Sequence, residues 1–257
     1  MRVTILGCGG SSGVPLIGNR WGNCNPANPR NRRLRPSILV EHGGTTVLVD
    51  TTPDLREQLL AANVQQVDGV LYTHAHADHC HGIDDLRELC RINHRPVPVY
   101  AEPQALADLQ NRFGYCFKAL EAGASYYRPQ LLPCPITGPL TIGALEVQPF
   151  RQDHGWVDSL GFRFGDFAYS TDLVRLDEAA FEALAGITVW VVDCVRLEPH
   201  PVHSHLEQTL EWIRRVGPRR AWLTHMNQTL DYDALSRLLP AGVAPAHDGL
   251  VIDVDRL

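Results

Sequence analysis

A chain of 257 residues, 44% hydrophobic and 20% charged, can bury a large core as one domain spanning 1–257 or as two close-packed halves. Its net charge of −6 gives no general attraction to long nucleic acid or to a membrane surface, and no apolar run approaches a membrane span. Seven scattered cysteines, odd in number and without disulfide spacing, fit a reducing cytoplasm.

The chain opens on a β-branched run, VTIL (3–6), and a glycine turn, with no signal-peptide pattern. The basic run RNRRLR (30–35) reads as a solvated face or loop. Strands are expected at SILVEH (37–42), TTVLVD (45–50), GVLYTH (69–74) and PVPVYA (96–101). Between them, TTPDLREQLLAANV predicts a helix capped by Thr52, with Pro53 in its first turn and Leu55, Leu59 and Leu60 on one apolar face. Residues 102–140, rich in Pro, Tyr and Gln, predict a helix and a long loop that would lie over a site as a lid.

The second half repeats the plan. A hairpin, GFRFGDFAYSTD (161–172), ends in an aspartate before a helix at DEAAFEALAG (177–186). A buried strand, ITVWVVDCV (187–195), precedes a helix whose Ser204 and Glu207 have capping-box spacing and whose apolar face is Leu206, Leu210 and Ile213. Gly217 ends it, then come the strand RAWLTHM (220–226) and a helix from Asp231. This layout implies two facing sheets with helices outside.

Residues 71–82, LYTHAHADHCHG, gather His74, His76, Asp78, His79 and His81 out of 12 histidines in all. Side chains two apart on an extended strand share a direction, so His74 and His76 suit one ion. Asp78 and His79 leave the following turn in other directions and suit a second. So many imidazoles together cost desolvation unless something binds them. Further ligands must come from elsewhere, and His154, Asp172 and His225 all lie at strand ends. Asp172 suits a bridging position, because two neighbouring cations repel and need a shared anion.

HAHADH, the later His154, STD ending at Asp172 and LTH ending at His225 resemble the metallo-β-lactamase superfamily, in matching order. The resemblance implies an α/β fold, a four-layer αββα sandwich with a dinuclear site at one edge. It assigns His74, His76 and His154 to one ion, Asp78, His79 and His225 to the other, and Asp172 to both. Asp50 matches an aspartate that braces the histidine loop. True β-lactamases of this fold generally lack the counterpart of His79, which argues against antibiotic hydrolysis.

GCGGSSGVP (7–15), NPRNRRLRPS (28–37), HPVHSHLEQTL (200–210) and AWLTHMNQTLD are similar, more narrowly, to PhnP-like phosphodiesterases, cousins of tRNase Z that hydrolyse cyclic ribose phosphates. Those proteins often hold a structural zinc on cysteines after the GVP segment. Here only Cys24 remains there, and no such zinc is expected.

The chemistry implied is hydrolysis of a small phosphorylated substrate, a cyclic ribose phosphate or nucleotide diester. Two divalent ions (zinc or manganese, with iron also compatible) would bring water's pKa toward about 7. His203 matches the family's general acid and stands with Asp78 in the catalytic set; His205 is the alternative donor and otherwise a substrate contact. Ser37, Arg35, Tyr126 and Tyr127 are candidate substrate contacts, and His247 a candidate partner for a metal ligand. A homodimer is the commonest assembly to expect. Two rival readings keep the metals: thioester or lactone hydrolysis, and a non-catalytic nucleotide-binding metalloprotein.

Overall fold

In the computed structural model, residues 1–119 and 127–256 are described. The first sheet contains β1 (Arg2–Gly7), β2 (Ser37–His42), β3 (Thr45–Val49), β4 (Gly69–Leu71), β5 (Val97–Ala101) and β6 (Leu131–Pro135), and is completed at its other edge by β14 (Val251–Asp253). The second runs in chain order from edge to edge: β7 (Leu140–Ile142), β8 (Leu145–Asp153), β9 (Asp158–Phe164), β10 (Phe167–Ser170), β11 (Val189–Asp193), β12 (Arg220–Thr224) and β13 (Val243–Pro245).

Period-2 alternation sets the layers. On β3, Val47 and Val49 enter the core shared with Phe162, Tyr169 and Val191 of the second sheet. Leu48, between them, points the other way, into a cluster with α1 (Leu55–Ala61), α3 (Leu86–Asn93) and α4 (Pro103–Arg112). On the second sheet, α5 (Glu178–Leu184), α6 (Leu206–Val216) and α7 (Tyr232–Leu238) pack through Leu184, Ile213 and Leu235. Strands β3 to β6 run parallel, as do β10 to β13, so their C-terminal ends gather at one edge of each sheet. Open parallel sheets bind ligands at such edges.

Four local expectations are corrected. Leu60 is 61% exposed, so the buried face of α1 is Leu55, Gln58 and Leu59. Within 102–140 the expected helix is α4 (Pro103–Arg112), but Leu131–Pro135 of the expected loop forms β6, paired in parallel with β5, and residues 120–126 lie outside the described residues. Ser204 caps nothing, because α6 has His205 at its N-cap without a side-chain bond; Ser204 Oγ instead donates to the Asp193 carbonyl at 2.6 Å. The basic run is solvated only in part: Arg30 and Arg32 are exposed, but Arg33 is not. Arg33 is fully buried and its guanidinium donates to the carbonyls of Leu230 (2.7 Å) and Asn227 (3.2 Å), beside Cys24. It pins the loop after β1 to the loop after β12.

The histidine-rich segment is fixed to the turn after β3. Thr51 N–H donates to the His79 carbonyl at 2.8 Å, and Gly82 N–H to the Thr51 carbonyl at 2.9 Å. Gly82 approaches so closely that a Cβ there would lie 1.9 Å from the Thr52 carbonyl oxygen. Backbone must therefore move if any side chain is added. Gly82→Ala is expected to lower stability by about 1–3 kcal/mol in urea denaturation, whereas Gly114→Ala, where a Cβ meets open space, should not.

Candidate metal centre

Each key side chain sits where a strand stops. Asp50 follows β3, His74 follows β4, His154 follows β8, Asp172 follows β10, and His225 follows β12, while Asp193 ends β11. Asp50, Asp172 and His225 adopt positive φ of 65°, 56° and 58°, which non-glycine residues rarely occupy. The left-handed turn breaks the strand's alternation and redirects these side chains into the gap between the sheets. Backbone strain of this kind gathers at sites that need a fixed geometry. His76 and α2 (Ala77–Cys80) complete the set, the short helix carrying Asp78 and His79.

The side chains sort into two adjoining groups, His74–His76–His154 and Asp78–His79–Asp172–His225, with one donor atom of each residue within 4.8 Å of the others in its group. His74 Nε2 and His76 Nδ1 lie 2.9 Å apart. Asp172 stands between the groups. Its Oδ1 is 3.6 Å from His154 Nε2, and its Oδ2 is 3.0 Å from His79 Nε2 and 3.4 Å from His225 Nε2. Although that first contact to His79 is short, it is not an aligned hydrogen bond; Asp78 Oδ2, His79 Nε2 and His225 Nε2 are all buried without a hydrogen-bond partner. Buried polar atoms are seldom left so. Aimed at one another, these atoms fit a divalent metal, for which imidazole and carboxylate are suitable donors.

Electrostatics agree with that fit. Burial works to raise the pKa of Asp172, but the charges of His225 and His79 outweigh it and hold the carboxyl well below its usual range. Asp78 is likewise held low against burial, by His79 and His225. His225 is lifted to about 9 despite its burial, by Asp172, Asp78 and Asp193. Protons on His79 and His225 thus take the place that a cation would fill, and a cation binding there displaces them.

The outer ring nitrogens are braced. Asp50 Oδ2 meets His79 Nδ1 at 2.7 Å, while its two oxygens also accept from Thr73 N–H and Oγ–H at 2.8 Å each. His154 Nδ1 donates to the Val202 carbonyl at 2.7 Å. Asp193 Oδ1 faces His225 Nδ1 at 3.4 Å without an aligned hydrogen bond, and Asp193 Oδ2 accepts from Ser204 N–H (3.1 Å) and Oγ–H (3.0 Å). Burial pushes the Asp193 carboxyl up to about 7. Sequence reasoning passed over Asp193, yet VWVVD ends on it as TTVLV ends just before Asp50; the repeat itself was the available signal.

His203 joins the cluster, stacked 4.7 Å from the His225 ring with its Nδ1 3.7 Å from Asp172 Oδ1 and 3.8 Å from Asp193 Oδ2. Other sequence candidates lie elsewhere. Ser37 is fully buried on β2, and its hydroxyl donates to the Val49 carbonyl at 2.8 Å, so it is closed to a ligand. Arg35 is held by Asp54 at 3.0 Å. His205 starts α6 and belongs to neither group of donors. His247 Nδ1 meets the Asp248 carbonyl at 3.0 Å and no metal-type donor. Tyr127 is 63% exposed, with Arg128 over its ring. Tyr126 lies outside the described residues. Among the described residues, no helix is long and apolar enough to cross a membrane.

Comparison with known proteins places this geometry in context. A beta-lactamase superfamily domain matches residues 45–226. The crystal structure of a diphosphatase from the PhnP family superposes with a TM-score of 0.90 at 35% identity, covering 98% of this chain and 97% of that one. The octanoyltransferase of Porphyromonas gingivalis is 32% identical over 261 residues, 99% of this chain but 52% of that protein. Ribonuclease Z of a Bradyrhizobium species is 29% identical over 140 residues, 53% of this chain and 46% of that protein. The chain thus spans about half the length of these two relatives.

Replacing either bracing carboxylate by its amide should weaken metal binding about 10- to 100-fold without unfolding the protein. Metal competition titrations of Asp50→Asn and Asp193→Asn check this, and unchanged affinity in both would remove their bracing role. The ordered donors, their orphaned atoms and the matched domain agree: the chain belongs to the beta-lactamase superfamily, with the metal-dependent hydrolase fold of its PhnP-family neighbour.

Proposed function

We propose that this protein is a phosphodiesterase that uses two divalent cations to hydrolyse a small cyclic ribose phosphate or nucleotide diester. The observation that carries the reading is Asp172, whose two oxygens each face a different group of ligands. One shared carboxylate between two donor sets is what a pair of close cations requires. His74, His76, His154 and Asp172 Oδ1 would hold one; Asp78, His79, His225 and Asp172 Oδ2 the other. Zinc, manganese and iron all suit these donors. When bound, the pair supplies Lewis acidity that lowers the pKa of the attacking water and offsets charge on the phosphoryl oxygens.

The chain's own residues do the rest. Asp78, which would ligate one cation, would also orient the attacking water beside it through a remaining lone pair. His203 is the proton donor to the leaving oxygen. Its Nδ1 faces Asp172 and Asp193, which leaves Nε2 for the transfer. Burial and the His225 charge push this ring's pKa down to about 3; an anionic phosphodiester beside it acts in the opposite direction and favours the protonated ring. His205 is not the better donor, because it stands outside the cluster that His203 joins. The names of the PhnP-family diphosphatase and the ribonuclease Z support chemistry at phosphorus.

Acyl chemistry is the second reading, favoured by the name of the octanoyltransferase, although this chain matches only 52% of that protein. Metal-loaded protein assayed with bis(4-nitrophenyl) phosphate and with S-lactoylglutathione separates the two. Hydrolysis of the diester is expected; activity confined to the thioester would reverse the assignment.

Replacing His203 with alanine should leave metal content unchanged and slow cleavage of a nucleoside diester about 10²- to 10⁴-fold. The 4-nitrophenolate leaving group needs no proton, so its release should slow far less. Equal losses with both leaving groups would contradict proton donation. His76→Ala or Asp172→Ala, in contrast, should lose metal and activity together, as read by elemental analysis of folded protein.

A further inference from the structure

A cavity of about 410 Å³ is lined by His74 and His76 but not by Asp172 or His203. It falls within the size range of small-molecule sites. One wall comes from the start and inner face of α4, with Glu102, Asp108 and Arg112; the other comes from Arg151 on β8 and Val157 and Asp158 at the start of β9. Both walls are tied to the metal centre, since Arg112 on the first donates to the Ala75 carbonyl between His74 and His76, and His154 lies between the two strands of the second.

We propose, resting on the phosphodiesterase reading, that this cavity holds the non-reacting part of the substrate, and that it takes an uncharged, hydroxyl-bearing sugar or nucleoside rather than one with a second phosphate. The argument is charge and pairing. Glu102, Asp108 and Asp158 place three carboxylates against the two guanidiniums of Arg112 and Arg151. Arg151 is already engaged by both Glu102 and Asp158, the latter at 2.8 Å. Arg112 gives one nitrogen to the carbonyl of Ala75, between the two histidines. A second phosphate would therefore meet three carboxylates against two guanidiniums, with the charge of Arg151 already compensated.

Hydroxyl groups fare differently. Carboxylate oxygens not used by Arg151 accept O–H bonds, and the free edge of Arg112 donates to ring or hydroxyl oxygen. Val157, 43% exposed, adds an apolar surface for a sugar or base. The scissile phosphoryl group lies outside this balance, because its charge is met at the neighbouring ligand clusters. Glu102 is consequently a specificity-determining residue: it holds Arg151 and supplies part of the charge that repels a second phosphate.

The test compares kcat/KM for a nucleoside 2′,3′-cyclic phosphate with a free 5′ hydroxyl and for the same compound carrying a 5′-phosphate, with bis(4-nitrophenyl) phosphate alongside. We expect a preference of about tenfold or more for the 5′ hydroxyl, a difference of roughly 1.4 kcal/mol. Glu102→Gln should narrow the ratio severalfold, and Asp158→Asn, from the opposite wall, should shift it in the same direction; circular dichroism reports whether each variant is folded. An equal or higher kcat/KM for the 5′-phosphorylated compound, or a ratio that neither folded variant moves, overturns the subsite while leaving the phosphodiesterase reading intact. Turnover of no diester at all overturns both.

Discussion

Asp172 is the residue on which the arrangement at the sheet edge turns. Its carboxylate is almost completely buried, and its oxygens lie between imidazoles from α2 and from the turns that follow β8 and β12. An isolated carboxylate could not persist in such a place, since burial of an unpaired charge is too costly. Nor could His79 and His225 keep their charge there without it. Buried charge at the open edge of the two sheets is therefore mutually compensated, in a form that suits a cation.

Around this centre the halves of the molecule mirror each other. Asp50, after β3, is hydrogen-bonded to His79, and Asp193, at the end of β11, faces His225. Each aspartate is itself fixed by neighbouring donors, Thr73 in the first half and Ser204 in the second. Orientation of a ring by its outer nitrogen fixes which nitrogen points inward, and that choice governs metal affinity. The second half adds what the first lacks. The loop that carries His203 also turns the Val202 carbonyl onto His154, so one short segment braces a ligand and presents the candidate proton donor.

The large pattern was legible along the chain for a simple reason. Strand alternation, turn glycines and a dense run of histidines are local signals, and they pointed to two facing sheets, most helices and eight of the nine ligand-type residues that the fold brings together, Asp193 being the ninth. Local signals also misled. Ser204 and Glu207 have capping spacing, but Asp193 offers Ser204 a buried carbonyl and carboxylate, and that tertiary demand prevails over the cap. Arg33 belongs to a run of arginines that suggests solvent, yet the carbonyls of residues 227 and 230, about two hundred positions away, make its burial tolerable. Leu60 looked apolar enough for a helix face, but the short α1 turns it outward.

By itself, then, the sequence determined the identity and order of the candidate donors, because their chemistry and the strands that precede them are encoded over a few residues at a time. The tertiary structure decided how those donors divide. Left-handed turns at Asp50, Asp172 and His225 rotate side chains into a gap that exists only when both sheets pack. Asp193 became a brace, and Ser37 a buried strand support, through contacts with residues remote in sequence or in another strand. Distance and burial are properties of the assembled core, and no periodicity along a single strand contains them.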